Sequence, residues 1–388
     1  MLTGETTATL SPDSAGYYYL TATVGTCVAY AGVNIKEYLI QDQRANIWYF
    51  GNGAGLDFNP LPDDPVKAIS NDVMNAPEGT ATISDRNGQV IIYTDGNTVW
   101  NRDNNVVATG IGGDPQSTQS AIIIPVPGDE TLYYIFTTTA IESGLYEVRY
   151  SLFDLKSGTL REQNVLLFTR STERLTGSAN WLIAHEAGNN SFRAYEITSQ
   201  GISNPVISSI GSDHPYAPVE GSKGYMKLGI NNVIVVALST PGVSNVVELF
   251  DFADSSGVIS NFRTADLNSP TGQVYGVEFS PGGNKLYATL QGAGASQIFE
   301  FALDSLGVPT LLGPIAPAPS GTLGAIQMGP DGQLYVAVDG SGTLGQIQVD
   351  EDEDDQSIYN PNASPPLVSG KTSSIGLPNF IQTIIDPI

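Results

Sequence analysis

Apolar and polar residues alternate with a period of two along short runs, and the runs come in pairs. From Gly276 to Leu290, Val277 and Phe279 alternate with polar neighbours, a Ser-Pro-Gly-Gly turn follows, and Leu286, Tyr287 and Thr289 form a second run. Such a pair predicts a β-hairpin with half-buried arms. The pattern returns in GAIQMGPDGQLYVAVDG from Gly324, GTATISDRNGQVIIYTDG from Gly79 and, more loosely, GYMKLGINNVIVVAL from Gly224. The more buried arm of each hairpin is placed at Ile47, Ile91, Tyr133, Leu182, Ile234, Leu286 and Leu334, with separations of 44, 42, 49, 52, 52 and 48 residues. A β-rich period of about 40 to 50 residues is the signature of a propeller built of four-stranded blades. Outer strands are read in YSLFDLKSGTL, FRAYEITSQGI, VELFDFADSSGVI and QIFEFALDSLGVP.

The two ends of this series are incomplete in complementary ways. Arms from Ile91 onward follow an inner arm, at Ile83, Ile122, Leu175, Met226, Val277 and Ile326, whereas Ile47 has none. SIGLPNFIQTII, from Ser374, reads as an inner arm with no core arm after it. Pairing the two predicts an all-β, seven-bladed β-propeller over residues 46–388, closed by the C-terminal strand and without exposed sheet edges.

Residues 1–45 follow a different pattern. Tyr17, Tyr19 and Thr21 alternate with Tyr18, Leu20 and Ala22, and a Pro-Asp-Ser-Ala-Gly turn precedes a hairpin whose second arm runs from Cys27 to Ile35. Two or three strands do not hold a sandwich core alone. With its Ser-Pro-x-x-Ala-Gly-x-Tyr segment ahead of a Cys-containing strand, the stretch resembles the last strands of Ig-like and PKD-like domains of large bacterial surface proteins. That resemblance implies that the other strands, and a partner for Cys27, lie upstream of Met1. A hairpin docked on the following domain is the alternative.

Composition narrows the function. The 388 residues include 42 glycines and 24 prolines, which suits many turns rather than long helices, and 41% are hydrophobic, enough for a large core. Forty acidic against 16 basic residues give a net charge of −24, which repels nucleic acid and anionic membranes. Cys27 is the single cysteine, so the chain holds no disulfide framework or cysteine metal site. MLTGETTATL lacks the basic and apolar regions of a secretory signal, and no apolar run approaches the roughly 20 residues of a membrane helix, so membrane insertion is not expected.

Candidate site residues each have a plain structural reading. Glu78-Gly79, Asp95-Gly96 and Gly51 to Gly53 lie at strand ends, where they make turns or line the ring's face. The acidic run Asp350 to Asp355 lacks the spacing of a calcium loop and reads as a solvated loop, with weak cation binding as the alternative, so whether a metal is bound stays open. His185-Glu186 and His214 fall in adjacent blade segments, and nothing in their spacing brings them together as a catalytic or zinc pair. Trp48, Tyr49, Trp100 and Trp181 lie in or beside strands, where rings pack between blades; glycan stacking on the ring's face is the alternative. No phosphate cradle and no cofactor site is read.

Longer matches appear from Asn46 to Ala140: NIWYFGNGAGLDFNP, APEGTATISDRNGQVIIYTDGNTVWNRD and STQSAIIIPVPGDETLYYIFTTTA, continued by TERLTGSANWLIAHEAGNNSFRAYEITSQGI and GLPNFIQ. These resemble the propeller region of large Bacteroidota proteins exported by the type IX secretion system, often of the gliding-motility-associated type. Thr80 stands where such relatives are expected to carry a cysteine. The resemblance implies an extracellular or outer-surface module whose sorting domain, absent from this chain, engages the secretion machinery. The expected function is a non-enzymatic binding or scaffold module presenting a glycan- or protein-binding face. The alternative is an exported hydrolase or lyase acting on polysaccharide, with carboxylates gathered over the channel.

Overall fold

The computed structural model describes residues 16–24, 27–35, 42–59, 65–229, 231–292, 296–315, 320–350 and 356–381. The chain divides into two compact units, Met1–Gln41 and Asp42–Ile388. In the first, Gly16–Val24 and Cys27–Ile35 pair antiparallel, with Tyr17 opposite Asn34 and Val24 opposite Cys27. The expected hairpin arms are therefore present; its described strands form this hairpin and no sandwich.

The second unit is a seven-bladed β-propeller, as the period predicts. Seven antiparallel sheets follow one another in chain order. The inner strands of blades 2 to 7 are Ala81–Ser84, Ala121–Val126, Ser171–Gly177, Met226–Leu228, Gln273–Phe279 and Leu323–Met328. Each contains its predicted apolar residue. Every predicted core arm is also a strand, from Ile47–Phe50 in blade 1 to Leu334–Val338 in blade 7. Blade 4 is irregular, because Gly201–Ile202 and Val206–Ser209 both pair with its third strand, Ser191–Thr198. The main apolar cluster runs through all seven blades, and a second, around Ile183, Phe192, Ile234 and Phe250, fills the joint between blades 4 and 5.

Blade 1 has three strands of its own, Ile47–Phe50, Asn52–Asp57 and Lys67–Asn75, and the C-terminal segment takes the innermost place. Phe380 packs near Trp48, with ring centroids 6.1 Å apart, and Asn52 N donates to Thr372 O at 2.9 Å. The closure departs from a regular ladder. The tail's other backbone bonds run sideways, from Gly340 N to Ser373 O, from Ser373 N to Ser341 O, from Ala325 N to Ile375 O, from Ile375 N to Pro77 O and from Asn379 N to Thr80 O, which ties blade 7 to blade 2. Pro378, with no N–H, interrupts any ladder there. Glycine makes the close approach possible: a Cβ on Gly376 would overlap Glu78 O, and one on Gly324 would overlap Ile375 O.

Candidate functional site

Residues that precede or open the inner strands meet at one end of the channel. Blade 2 brings Glu78, blade 3 Thr118, blade 4 Glu173, the segment before blade 5 Lys223, and blade 6 Tyr275. Glu173 is fully buried; its Oε2 accepts from Thr118 N and Thr118 Oγ1, both at 2.7 Å, and its Oε1 accepts from Ile141 N at 2.6 Å. Thr118 Oγ1 lies 3.3 Å from Glu78 Oε2, so one hydroxyl spans the two carboxyl groups. Tyr275 donates its phenol proton to the same Glu78 oxygen at 2.7 Å. Lys223 Nζ is 3.7 Å from Glu78 Oε1 and donates to Glu142 Oε1 at 2.6 Å.

Burial and like charge set the protonation states here. Burial pushes the Glu173 carboxyl up to about 7, the neighbouring Glu78 charge adds to the effect, and Lys223 and the backbone N–H groups of Ile141 and Thr118 oppose it. Glu78 is also raised, again chiefly by burial, against Lys223 and the Tyr275 bond. Glu78 keeps 13% of its side chain accessible and Glu142 50%, so the open members of the group are Glu78, Glu142 and Lys223.

One residue deeper, side-chain amides cross-link neighbouring inner strands. Gln119 Oε1 accepts from Met226 N at 2.9 Å and Leu175 N at 3.3 Å, and its Nε2 donates to Met226 O at 3.1 Å and Asn379 Oδ1 at 3.3 Å. Asn379 Nδ2 in turn donates to Leu175 O at 3.0 Å and Ala121 O at 3.3 Å. These two amides join blades 3, 4 and 5 to the tail and form a floor beneath the carboxylates.

Behind the mouth lies a polar layer with no access to solvent. Arg174 Nη1 donates to Gly221 O at 3.1 Å, and its Nη2 donates to Ala237 O at 2.7 Å and to Lys223 O. Burial lowers its pKa to about 9, with Glu173 and Glu248 opposing. His185 and His214 stack with ring centroids 3.5 Å apart and planes at 16°. They meet because the loop after the outer strands of blade 4 folds back onto that blade's core arm. Burial, with the Arg174 charge, holds both well below the usual imidazole range, so both are neutral. Neither faces the channel mouth.

Of the residues singled out from sequence, only Glu78 belongs to this group. Asp95 Oδ1 accepts from Asn97 N at 2.9 Å and Thr98 N at 2.7 Å, which makes it a turn residue. Gly51 packs against the closing segment at Thr372. Trp48, Trp100 and Trp181 are buried: Trp48 against Phe58 and Tyr335, Trp100 stacked on Tyr93, and Trp181 against Phe252, while Tyr49 packs on Tyr93. These rings join blades rather than offering a glycan platform. Asp350 N donates to Ser357 Oγ at 3.1 Å, and the rest of the acidic run, 351–355, lies outside the described residues. Thr118, Glu142, Glu173, Lys223 and Tyr275 escaped the sequence reading. The signal for Thr118, Glu173, Lys223 and Tyr275 is position, at the head of successive inner arms; Glu142, in the turn Ile141–Ser143 after the core arm of blade 3, carries none.

Among the described residues no group of three or more His, Cys, Asp or Glu side chains is arranged to hold a metal ion, and no helix is long and apolar enough to cross a membrane. At the channel's other end a cavity of about 780 Å³ is lined by the Asp85-Arg86 turn, Arg44, Glu130, Tyr133 and Ile381. Its arginines are already paired, Arg44 with Asp42 at 2.5 Å and Arg86 with Glu130 at 2.8 Å.

No family model and no curated protein matches the chain. Solved structures do. A protein of Bacteroides uniformis assigned as a 6-phosphogluconolactonase is 12% identical, with a TM-score of 0.55 over 83% of this chain and 98% of that one. The Cps50 (Swd1) propeller domain of Myceliophteria thermophila is 11% identical, with a TM-score of 0.50 over 77% and 91%. The periplasmic gluconolactonase of Pseudomonas aeruginosa is 17% identical, with a TM-score of 0.46 over 73% and 79%. At these identities the likeness is one of fold. It corrects the expectation of a non-enzymatic module: this ring is also the scaffold of a protein assigned as a lactonase, so the fold gives no ground for excluding catalysis.

Proposed function

We propose that the channel mouth performs acid–base chemistry on a neutral, hydroxylated substrate of the sugar-lactone or glycan class. Glu78 is the catalytic carboxylate in contact with substrate, and Glu173 is its buried proton reservoir. The observation that carries this is the single Thr118 hydroxyl set between the two carboxyl groups. With Glu173 protonated, its O–H donates to Thr118 Oγ1, and the threonine hydroxyl donates to Glu78. A proton given up by Glu78 is then replaced from within the protein. A group titrating near neutrality suits a general acid or base at physiological pH. The fold shared with a protein assigned as a 6-phosphogluconolactonase supports a lactone, while the excess of carboxylates over Lys223 disfavours the phosphate such a substrate carries and supports a neutral one.

The test is turnover of a panel of neutral sugar lactones and oligosaccharides. Glu78→Gln is expected to lower kcat about 10²-fold or more, as loss of a general acid or base does. Thr118→Val is expected to lower kcat with KM little changed and to shift the pH profile. Turnover that survives Glu78→Gln would refute the assignment.

A second reading is favoured by the three donors that already satisfy Glu173: the mouth captures a glycan or protein ligand within an extracellular or outer-surface part of a larger exported protein. The likeness of residues 46–140 to exported Bacteroidota propellers and the net charge of −24 support that setting, with residues 1–45 as the end of an Ig-like neighbour and a sorting domain as the link to the secretion machinery.

A further inference from the structure

Lys223 reaches the channel mouth on a segment held from behind by one guanidinium. Arg174 binds the carbonyls of Gly221 and Lys223 on that segment and the Ala237 carbonyl of the blade 5 core arm. Its Nη1 also lies 3.3 Å from His214 Nδ1. A guanidinium only donates, so His214 Nδ1 accepts and its proton sits on Nε2, 3.8 Å from Glu248 Oε2. His185 Nδ1 donates to Glu186 O at 2.6 Å, which leaves its Nε2 as a buried lone pair without a partner.

We propose that Arg174, His214 and His185 form an acid-sensitive lock that positions the Lys223 segment at the channel mouth. Protonation puts a hydrogen on His214 Nδ1, so a donor then faces the Arg174 donor and a second cation enters the same buried space. Protonation of His185 adds a cation against the stacked ring. Of the charged groups around the lock, Asp213 beside His214 is exposed to solvent and Glu220 on the 219–225 segment is half-buried. Glu173 adjoins Arg174 on its strand and is engaged by Thr118 and Ile141; Glu186 beside His185 is paired with Arg193 at 2.5 Å; Glu248 comes from blade 5; Lys223 points to Glu78 and Glu142. Glu248 alone faces His214, and one carboxylate balances one added charge, not two. The lock gives way by loosening of the 219–225 segment.

Backbone amide exchange of 219–225, corrected for its intrinsic pH dependence, reads this directly. If the histidines titrate near their ordinary value only in the opened segment, opening rises roughly tenfold per histidine, about a hundredfold for both, between pH 7 and pH 5.5. The core arm of blade 7, Leu334–Val338, should stay protected over the same range. His214→Asn keeps an acceptor for Arg174 without titrating, and His185→Phe keeps a stacked ring; together they should abolish the acid response, and His185→Phe alone should reduce it to about tenfold. An unchanged response in His185→Phe, no acceleration in the parent protein, or equal acceleration in blade 7 would overturn the lock. The consequence for activity rests on the channel-mouth reading, but exchange does not, so failure of either is seen separately.

Discussion

Asn379 is the point at which closure of the ring can be tested by one side chain. It is 1% exposed, donates to carbonyls on the inner strands of blades 3 and 4, and accepts from Gln119. Asn379→Ala removes both donors and one acceptor from a site with no water access. A buried hydrogen bond is worth about 1 kcal/mol net, and a stranded buried partner costs about 1 to 3 kcal/mol. Gln119 keeps its bond to Met226 O, so the loss is about 3 kcal/mol. For a ring of this size the unfolding entropy is about 0.7 kcal/mol/K, and the midpoint should fall by roughly 4 °C. Asn379→Asp separates polarity from size, because a carboxylate set against two carbonyl oxygens repels them where alanine only leaves them bare; it should melt below Asn379→Ala at pH 7.5. Thermal melts by circular dichroism measure both. An Asn379→Ala midpoint within about 1 °C of the parent, or an Asn379→Asp protein more stable than Asn379→Ala, would refute the reasoning.

Ending the chain at Gly370 removes the buried side chains of Leu377, Phe380 and Ile381 and the backbone bonds to Asn52, Pro77, Thr80, Ala325, Gly340 and Ser341. At about 2 kcal/mol per side chain and 1 per bond the loss is on the order of 10 kcal/mol, or roughly 15 °C in the midpoint; an unchanged melt would defeat the closure. Stability should also carry the imprint of Glu173. Its folded-state pKa is raised from 4.5 to about 7, so its contribution is fully present below pH 4.5 and is lost as pH rises through about 7. The free-energy gap between the parent and Glu173→Gln, from urea melts, should shrink by about 3 kcal/mol between pH 4.5 and pH 8; a constant gap would count against the buried acid.

How much of this was legible in the sequence follows from where the information is local. A hairpin is written in adjacent residues, so all seven core arms and six inner arms were placed from alternation and turns alone. The closing segment was recognisable as a spare inner arm. Its sideways bonding was not, because it depends on Pro378 lacking a donor and on Gly324 and Gly376 letting backbones touch. The site was least legible. Glu78, Thr118, Glu173, Lys223 and Tyr275 stand about one blade apart in sequence, and only the ring's curvature joins them. The histidine pair was missed for the same reason, since its stacking depends on a loop folding back between blades 4 and 5.

The ring also explains why the acid and the lock are linked. The inner strand of blade 4 loses its regular register between Ser171 and Leu175, and the two neighbouring side chains there face different environments. Glu173 turns to the mouth and Arg174 turns into the joint behind it. When ionised, Glu173 is among the groups that keep Arg174 charged despite burial. One dipeptide therefore sets both the proton reservoir at the mouth and the clamp on the segment that delivers Lys223. The order Glu-Arg, rather than the presence of both residues, is what the proposed chemistry requires.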